Sequence, residues 1–338
     1  MDKSPDRPLV LWLLTLWALV GAMVVLGGVT RLTGSGLSMV EWRPLMGALP
    51  PLSADAWDAV FERYKASPQY AHVNSWMALA DFQRIFAWEY THRLLGRLLG
   101  LAFALPFAWF LVRGRLRGAA GRVGMAFLLG GAQGLLGWYM VLSGLVDVPE
   151  VSHLRLAAHL ALAFVTGGWL LWCVLSLAAP RVHAGGRLWW GGVAGLGLLA
   201  VQVVWGAFMA GKRAGLLSAT FPKMNGQWVP DAVMKGADLG AALVSNPLGI
   251  HFAHRSLGWL VLVAGVLFGG ALTRRGGASR RWGRVVHGVV GTQFLLGVGT
   301  VMMHVPTAMA VVHQLGGYLL VSVWLIALWS LRRPAPGG

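Results

Sequence analysis

In the run Glu89-Tyr90-Thr91-His92-Arg93-Leu94-Leu95-Gly96-Arg97, a carboxylate and an imidazole stand three residues apart. That spacing puts Glu89 and His92 on one face of a helix. The run opens a long apolar stretch, so the pair sits at the mouth of a membrane helix. Ionisable groups entering a bilayer are costly and mark function. An imidazole is a metal ligand, and a carboxylate beside it is an acid–base group. A second run, His251-Phe252-Ala253-His254-Arg255-Ser256-Leu257-Gly258, repeats the pattern with a His where the first has Glu.

The elements that must hold these residues follow from composition. Of 338 residues, 57% are hydrophobic and 12% charged, against about 25% charged in soluble domains. Mean hydropathy is +0.63. Apolar runs are continuous rather than alternating, which excludes a β-barrel. Eight spans are expected at about 9–29, 90–112, 122–142, 156–178, 187–210, 253–273, 285–304 and 309–331. The first apolar run is too long for a signal-peptide core and no small-residue cleavage site follows it.

The net charge of +16 sorts by loop, so the membrane explains it and nucleic acid is not expected as a partner. With both termini cytoplasmic, the inner segments hold 15 Lys and Arg against Asp2 and Asp6 only. The outer segments hold ten Lys and Arg and the other ten acids. That asymmetry sets the orientation. Two outer loops are long, about 30–88 and 211–250. Their tryptophans (Trp42, Trp57, Trp76, Trp88 and Trp228) predict a cap on the outer leaflet, with a short interfacial helix over Asp55 to Tyr64. Cys173 is the single cysteine, so neither an internal disulfide nor a thiolate metal site is available.

The halves repeat. His92-Arg93-Leu94-Leu95-Gly96 matches His254-Arg255-Ser256-Leu257-Gly258, and Gln133-Gly134-Leu135-Leu136-Gly137 matches Gln293-Phe294-Leu295-Leu296-Gly297. His159 matches His313. In the outer loops Ser38, Trp42, Pro44, Met46 and Gly47 match Ser218, Phe221, Pro222, Met224 and Gly226. Each half has four spans and starts on the same side, so the repeat is parallel. The expected architecture is an all-α integral membrane protein of eight transmembrane helices, built as two parallel-repeat four-helix bundles. Residues 1–180 form the first half and 181–338 the second.

Four of the ten histidines, His92, His159, His254 and His313, fall at equivalent places on the second, fourth, sixth and eighth spans. All lie near the outer face, and each half can place two imidazoles across a bundle. That arrangement suits bis-imidazole ligation of a haem iron. Zinc or a di-metal centre wants more carboxylates or thiolates than these spans offer. A lone interfacial histidine is usually structural, and His72, His183 and His287 are read that way. His153 and His304 sit where they can touch a haem edge, and His251 can line the second site. Arg93 and Arg255 serve equally as headgroup anchors or as contacts to haem propionates, and Arg31, Arg43, Lys212 and Arg213 are further propionate candidates. The Gly34-Ser35-Gly36-Leu37-Ser38 stretch lacks the strand–helix context and the Lys-Ser/Thr ending of a phosphate loop.

The runs at 89–97, Gly-Gly-Val-Thr-Arg-Leu-Thr-Gly-Ser-Gly-Leu-Ser at 27–38 and Phe-Pro-Lys-Met-Asn-Gly at 221–226 resemble the haem A synthase family over essentially the whole chain. Without an outer-loop cysteine pair, the chain is similar to the proteobacterial and mitochondrial branch. The resemblance implies an oxidoreductase of the bacterial inner membrane that converts the C8 methyl of haem O to a formyl group through a hydroxymethyl intermediate. It implies that His92 and His159 hold the substrate haem O, that His254 and His313 hold a haem b, and that Glu89 serves the chemistry. It further implies, as partners, membrane lipids, the haem O synthase that supplies the substrate, an electron donor and cytochrome oxidase assembly factors. The alternatives are a di-haem b electron carrier without substrate chemistry, which would tolerate Glu89→Gln, and a transporter, which would carry no haem.

Overall fold

A computed structural model describes residues 6–41, 49–116, 118–145, 149–178, 181–182, 185–234 and 238–334. Among the described residues, eight helices are long and apolar enough to cross a membrane. They are α1 (Arg7–Leu32), α3 (Leu79–Val112), α4 (Ala120–Leu142), α5 (His153–Ala178), α6 (Arg187–Gly211), α9 (Pro247–Arg275), α10 (Gly277–Met302) and α11 (Thr307–Ser330). The chain is therefore an all-α, multi-pass membrane protein. Shorter helices α2 (Ala54–Lys65), α7 (Asp231–Met234) and α8 (Leu239–Ser245) occupy the two long loops. At the opposite end, Arg181–Val182 pairs antiparallel with Arg333–Pro334, a two-residue ladder (β1 with β2) that periodicity does not announce. Trp42, Arg43, Pro44, Met46, Gly47, His183 and Lys235 lie outside the described residues, as do Asp2, Lys3 and Arg117.

The helix ends carry their own signals. Asp6 accepts the Leu9 amide at the start of α1, and Ser53 accepts the Ala56 amide at the start of α2. Asn246 accepts the Leu248 amide, with Pro247 at the first position of α9. The Asp6 carboxylate also receives both ends of the Arg115 guanidinium, tying the start of α1 to the turn after α3. Pro106 sits inside α3, which membrane helices tolerate when neighbours satisfy the freed carbonyl.

One boundary matters for the site. α3 starts at Leu79, not near residue 90, and has 34 residues. At about 1.5 Å per residue it runs roughly 50 Å, well past a hydrocarbon core of about 30 Å. Glu89 and His92 are therefore three to four turns inside a helix rather than at its mouth. The added turns form because Asp81 accepts the Ala78 amide at 3.2 Å, and because Phe82, Ile85 and Phe86 are covered by α2. The helix expected over Asp55 to Tyr64 exists as α2 and stacks Phe61 and Tyr64 on Phe82. Tyr64 is fully buried, donating to Gln69 and accepting from Asn74. Burial pushes its phenol pKa up.

In the first half α1 packs on α3 and α5, and α4 on α5; in the second, α6 packs on α9, α9 on α10, and α10 on α11. The halves also meet, α1 and α5 against α11 and α5 against α6. Tyr318 wedges this seam. Its hydroxyl donates to the Trp17 carbonyl at 2.9 Å, and its ring stacks on Trp17. It lies so close to Gly167 that a Cβ there would overlap its ring and hydroxyl. Gln314 donates to the Val24 carbonyl at 2.8 Å across the same seam.

Candidate functional site

Each of the four repeat-equivalent histidines lies against a glycine of a neighbouring helix. A Cβ at Gly27 of α1 would stand 3.2 Å from the His92 ring, and one at Gly206 of α6 would stand 3.2 Å from His254. A Cβ at Gly137 of α4 would come within 3.0 Å of His159, and one at Gly297 of α10 within 2.9 Å of His313. Each of these glycines lies on the transmembrane helix that precedes its histidine's helix in the chain. The glycines leave room for an imidazole between closely spaced helices and no room for a larger neighbour.

Two glutamines add a matched restraint. Gln133 donates to the His159 carbonyl at 3.0 Å, and Gln293 donates to the His313 carbonyl at 2.9 Å. The Gln133 amide nitrogen also lies 3.2 and 3.3 Å from the two His159 ring nitrogens. The Nδ1 atoms of His92, His254 and His313 are buried without a partner. Buried polar atoms normally find one, so these imidazoles suit a ligand. His254 and His313 face each other with ring centroids 6.5 Å apart and planes at 88°. Among the described residues no three His, Cys, Asp or Glu side chains cluster as a metal site. The donor set is imidazole, with His254 and His313 ring to ring, which fits axial ligation of haem iron and not a three-ligand centre.

A cavity of about 360 Å³ lies beside the second pair, within the range of about 300–1,000 Å³ for small-molecule and cofactor sites. His251, His254, Arg255, Gln293 and His313 line it. Arg31 reaches it from α1, and Leu160 and Phe164 from α5, so the first half contributes to a wall of the second pocket.

Glu89 is buried and fully engaged. Its Oε2 accepts the Ser38 hydroxyl at 2.6 Å and the Met39 amide at 2.8 Å. Its Oε1 pairs with Arg93 at 2.5 Å. Arg93 also donates to the Met39 and Glu41 carbonyls. The Gly34–Ser38 stretch is the turn that delivers this contact: Gly34 takes φ +69°, and its carbonyl accepts from Gln69. Arg93 is therefore committed to the carboxylate and the loop. In the second half Arg255 likewise donates to loop carbonyls, those of Thr220 and Pro222. His251, at the place of Glu89, is wholly buried.

The remaining histidines separate from the site. His153 bonds the Val244 carbonyl and packs on Phe208, joining α5 to α8. His287 bonds the Val266 carbonyl. His304 and His72 are exposed. Arg31 donates to the Gly211 carbonyl at 2.8 Å, and Arg213 lines the cavity. Ser38, Gln133, Gln293, Gly27 and Gly206 are site residues that sequence reading did not assign a role. The repeat offsets had already paired Gln133 with Gln293 and Ser38 with Ser218, and that pairing was the available signal.

Residues 10–325 match the family described as cytochrome oxidase assembly protein. Full-length relatives agree. The chain is 42% identical to a heme A synthase of Paramagnetospirillum magneticum, over 98% of this chain and 96% of that protein. It is 41% identical to one of Nitrosospira multiformis (97% and 94%) and 43% identical to one of Azorhizobium caulinodans (98% and 96%).

Proposed function

The chain belongs to the cytochrome oxidase assembly protein family, and from that premise we propose that it is a haem A synthase. The reading is of an oxidoreductase that takes the C8 methyl of haem O to a formyl group by way of a hydroxymethyl. The observation that carries it is the fourfold fit of His92, His159, His254 and His313 against glycines at repeat-equivalent places. In this reading residues 1–180 and 181–338 are two parallel-repeat bundles. His92 and His159 hold the substrate haem O, while His254 and His313 hold a haem b. When bound, haem b supplies one-electron transfer.

The chain's own residues then have definite tasks. Gly27 and Gly137 keep the faces of His92 and His159 clear, and Gln133 fixes the backbone of α5 at His159. Ser38, the Met39 amide and Arg93 hold Glu89 in place, one helical turn from His92. Converting a methyl to an alcohol, and the alcohol to a geminal diol that loses water, removes electrons and protons together from the reacting carbon. A fixed carboxylate one turn from the ligand can stabilise positive charge or take a proton. The bias of Lys and Arg toward the short loops supports cytoplasmic termini in a bacterial inner membrane, with the histidines near the outer face. The partners follow from the reaction: lipids, haem O and the synthase that makes it, an electron donor, and cytochrome oxidase assembly factors.

One observation favours a second reading. The Glu89 carboxylate is saturated by three donors, as a purely structural anchor would be, and a di-haem b electron carrier would need nothing more. The deciding experiment is expression in a host that makes haem O, followed by extraction and chromatography of the haems. Hydroxylated haem or haem A is expected. Haem-loaded protein with haem O unchanged would leave the electron carrier.

A further inference from the structure

The two halves build the same corner and finish it differently. In the first half the arginine after the ligand histidine, Arg93, reaches the loop carbonyls of Met39 and Glu41. Its charge is met by Glu89 at 2.5 Å. In the second half Arg255 makes the equivalent reach to Thr220 and Pro222. There the position of Glu89 is His251, and among the described residues no carboxylate pairs with the guanidinium. The consequences are visible atom by atom. The Arg255 Nη1 is buried with no hydrogen-bond partner. Both ring nitrogens of His251 are buried with none, in a side chain of 0% exposure set against the Ala214 backbone. The Arg31 Nε, contributed by α1, is a third buried donor without a partner. All three residues line the cavity beside His254 and His313, with Arg213 at its rim, and no Asp or Glu does so among the described residues. Glu150 is near enough to bear on the Arg31 charge but lies outside the lining.

Unpaired buried guanidinium donors are expensive. A cavity that gathers them without an acid is complete only with an anionic ligand. Guanidinium donors in a low-dielectric wall select carboxylate or phosphate oxygens. We propose that the His251–Arg255 corner, with Arg31 from the first half, is a carboxylate site. A carboxylate of the ligand held by His254 and His313 takes there the place that Glu89 fills in the first half. The inference rests on the haem reading above, in which that carboxylate is a haem propionate. It assigns the second pocket to both halves, since α1 supplies one of its donors. At the matching corner of the first half the protein itself supplies the carboxylate, Glu89, to its arginine.

The test uses the full chain, produced in haem-limited cells and purified in detergent, then titrated with iron protoporphyrin IX or with its dimethyl ester. Soret absorbance reports binding in a variant whose first-pocket ligands are removed (His92→Ala, His159→Ala), so that only the second pocket is read. Free acid should bind at least tenfold more tightly than the ester, the size expected for charge-assisted hydrogen bonds in a buried site. His251→Glu in this background should close the corner as Glu89 does, bringing the two affinities within about threefold by weakening the acid alone. Arg255→Gln should do the same, and Arg255→Lys should restore part of the preference. Retained ester binding shows that the variants are folded. Equal affinities for acid and ester in the unsubstituted corner, or a preference untouched by His251→Glu and Arg255→Gln, overturns the carboxylate site and leaves the haem reading standing. No shift of the Soret band on adding protein to either compound overturns both.

Discussion

Glu89→Gln separates chemistry from architecture. The substitution keeps the shape of the side chain and removes its charge. Three donors now point at Glu89: the Ser38 hydroxyl, the Met39 amide and the Arg93 guanidinium. A glutamine oxygen can serve those on one side only, and its NH₂ must face a donor on the other. Breaking a buried ion pair outright costs about 3–5 kcal/mol. With one side retained, the expected loss is about 2–4 kcal/mol of stability. Ser38→Ala provides the comparison. It removes one hydrogen bond to the same charged oxygen, about 1.5–3 kcal/mol, and leaves the carboxylate and Arg93 in place. If Glu89 acts on the reacting centre, Glu89→Gln lowers product about 10²–10⁴-fold, the range for losing a positioned acid–base group. Ser38→Ala, of similar stability cost, should lower it less than tenfold. The assay is haem extraction and chromatography from matched amounts of haem-loaded protein, with thermal melting in detergent to match stabilities. Equal loss of product in both variants would refute the reasoning and make Glu89 an anchor for the loop at Ser38 and Met39.

Three further outcomes are expected. Gly297→Ala places a Cβ 2.9 Å from the His313 ring and should abolish the low-spin haem spectrum of the second pocket, while Gly291→Ala on the same helix, with open space around it, should leave the spectrum intact. Gly167→Ala drives a methyl into the Tyr318 ring and hydroxyl and should destabilise the seam by about 1–3 kcal/mol or more, read as a lower melting temperature; Tyr318→Phe, which loses only the bond to Trp17, should cost about 1 kcal/mol. Tyr64→Phe strands Gln69 and Asn74 and should loosen the loop cap by about 1–3 kcal/mol, seen as faster proteolysis between residues 54 and 78. The raised phenol pKa of Tyr64 has a matching sign: its stabilisation is complete below the ordinary tyrosine value of about 10 and is lost as pH rises through the higher folded value, which phenolate absorbance will follow.

The histidines show how far spacing carries. Four imidazoles at repeat-equivalent positions were legible because a repeat duplicates letters along with folds. Their partners were legible in part: Gly137 and Gly297 end the matched runs, while Gly27 and Gly206 lie 65 and 48 residues before the histidines they face, with no spacing that ties them to those rings. The eight spans were legible because every crossing needs about 20 apolar residues. The start of α3 was missed because its first turns are held by contacts with α2 and not by hydropathy.

Arg93 and Glu89 mark the boundary between the two sources of information. Sequence determined that a carboxylate, an imidazole and a guanidinium share one helix, because periodicity fixes the face on which each side chain lies. It also determined that the second half lacks that carboxylate. Only the tertiary structure decided what the charges meet. Arg93 had been equally suited to headgroups or propionates, and the fold brings it instead to Glu89 and the loop after α1. The physical reason is that a long, charged side chain takes its partner from whatever the packing brings within about 3 Å, and residues from distant parts of the chain are brought together only by folding.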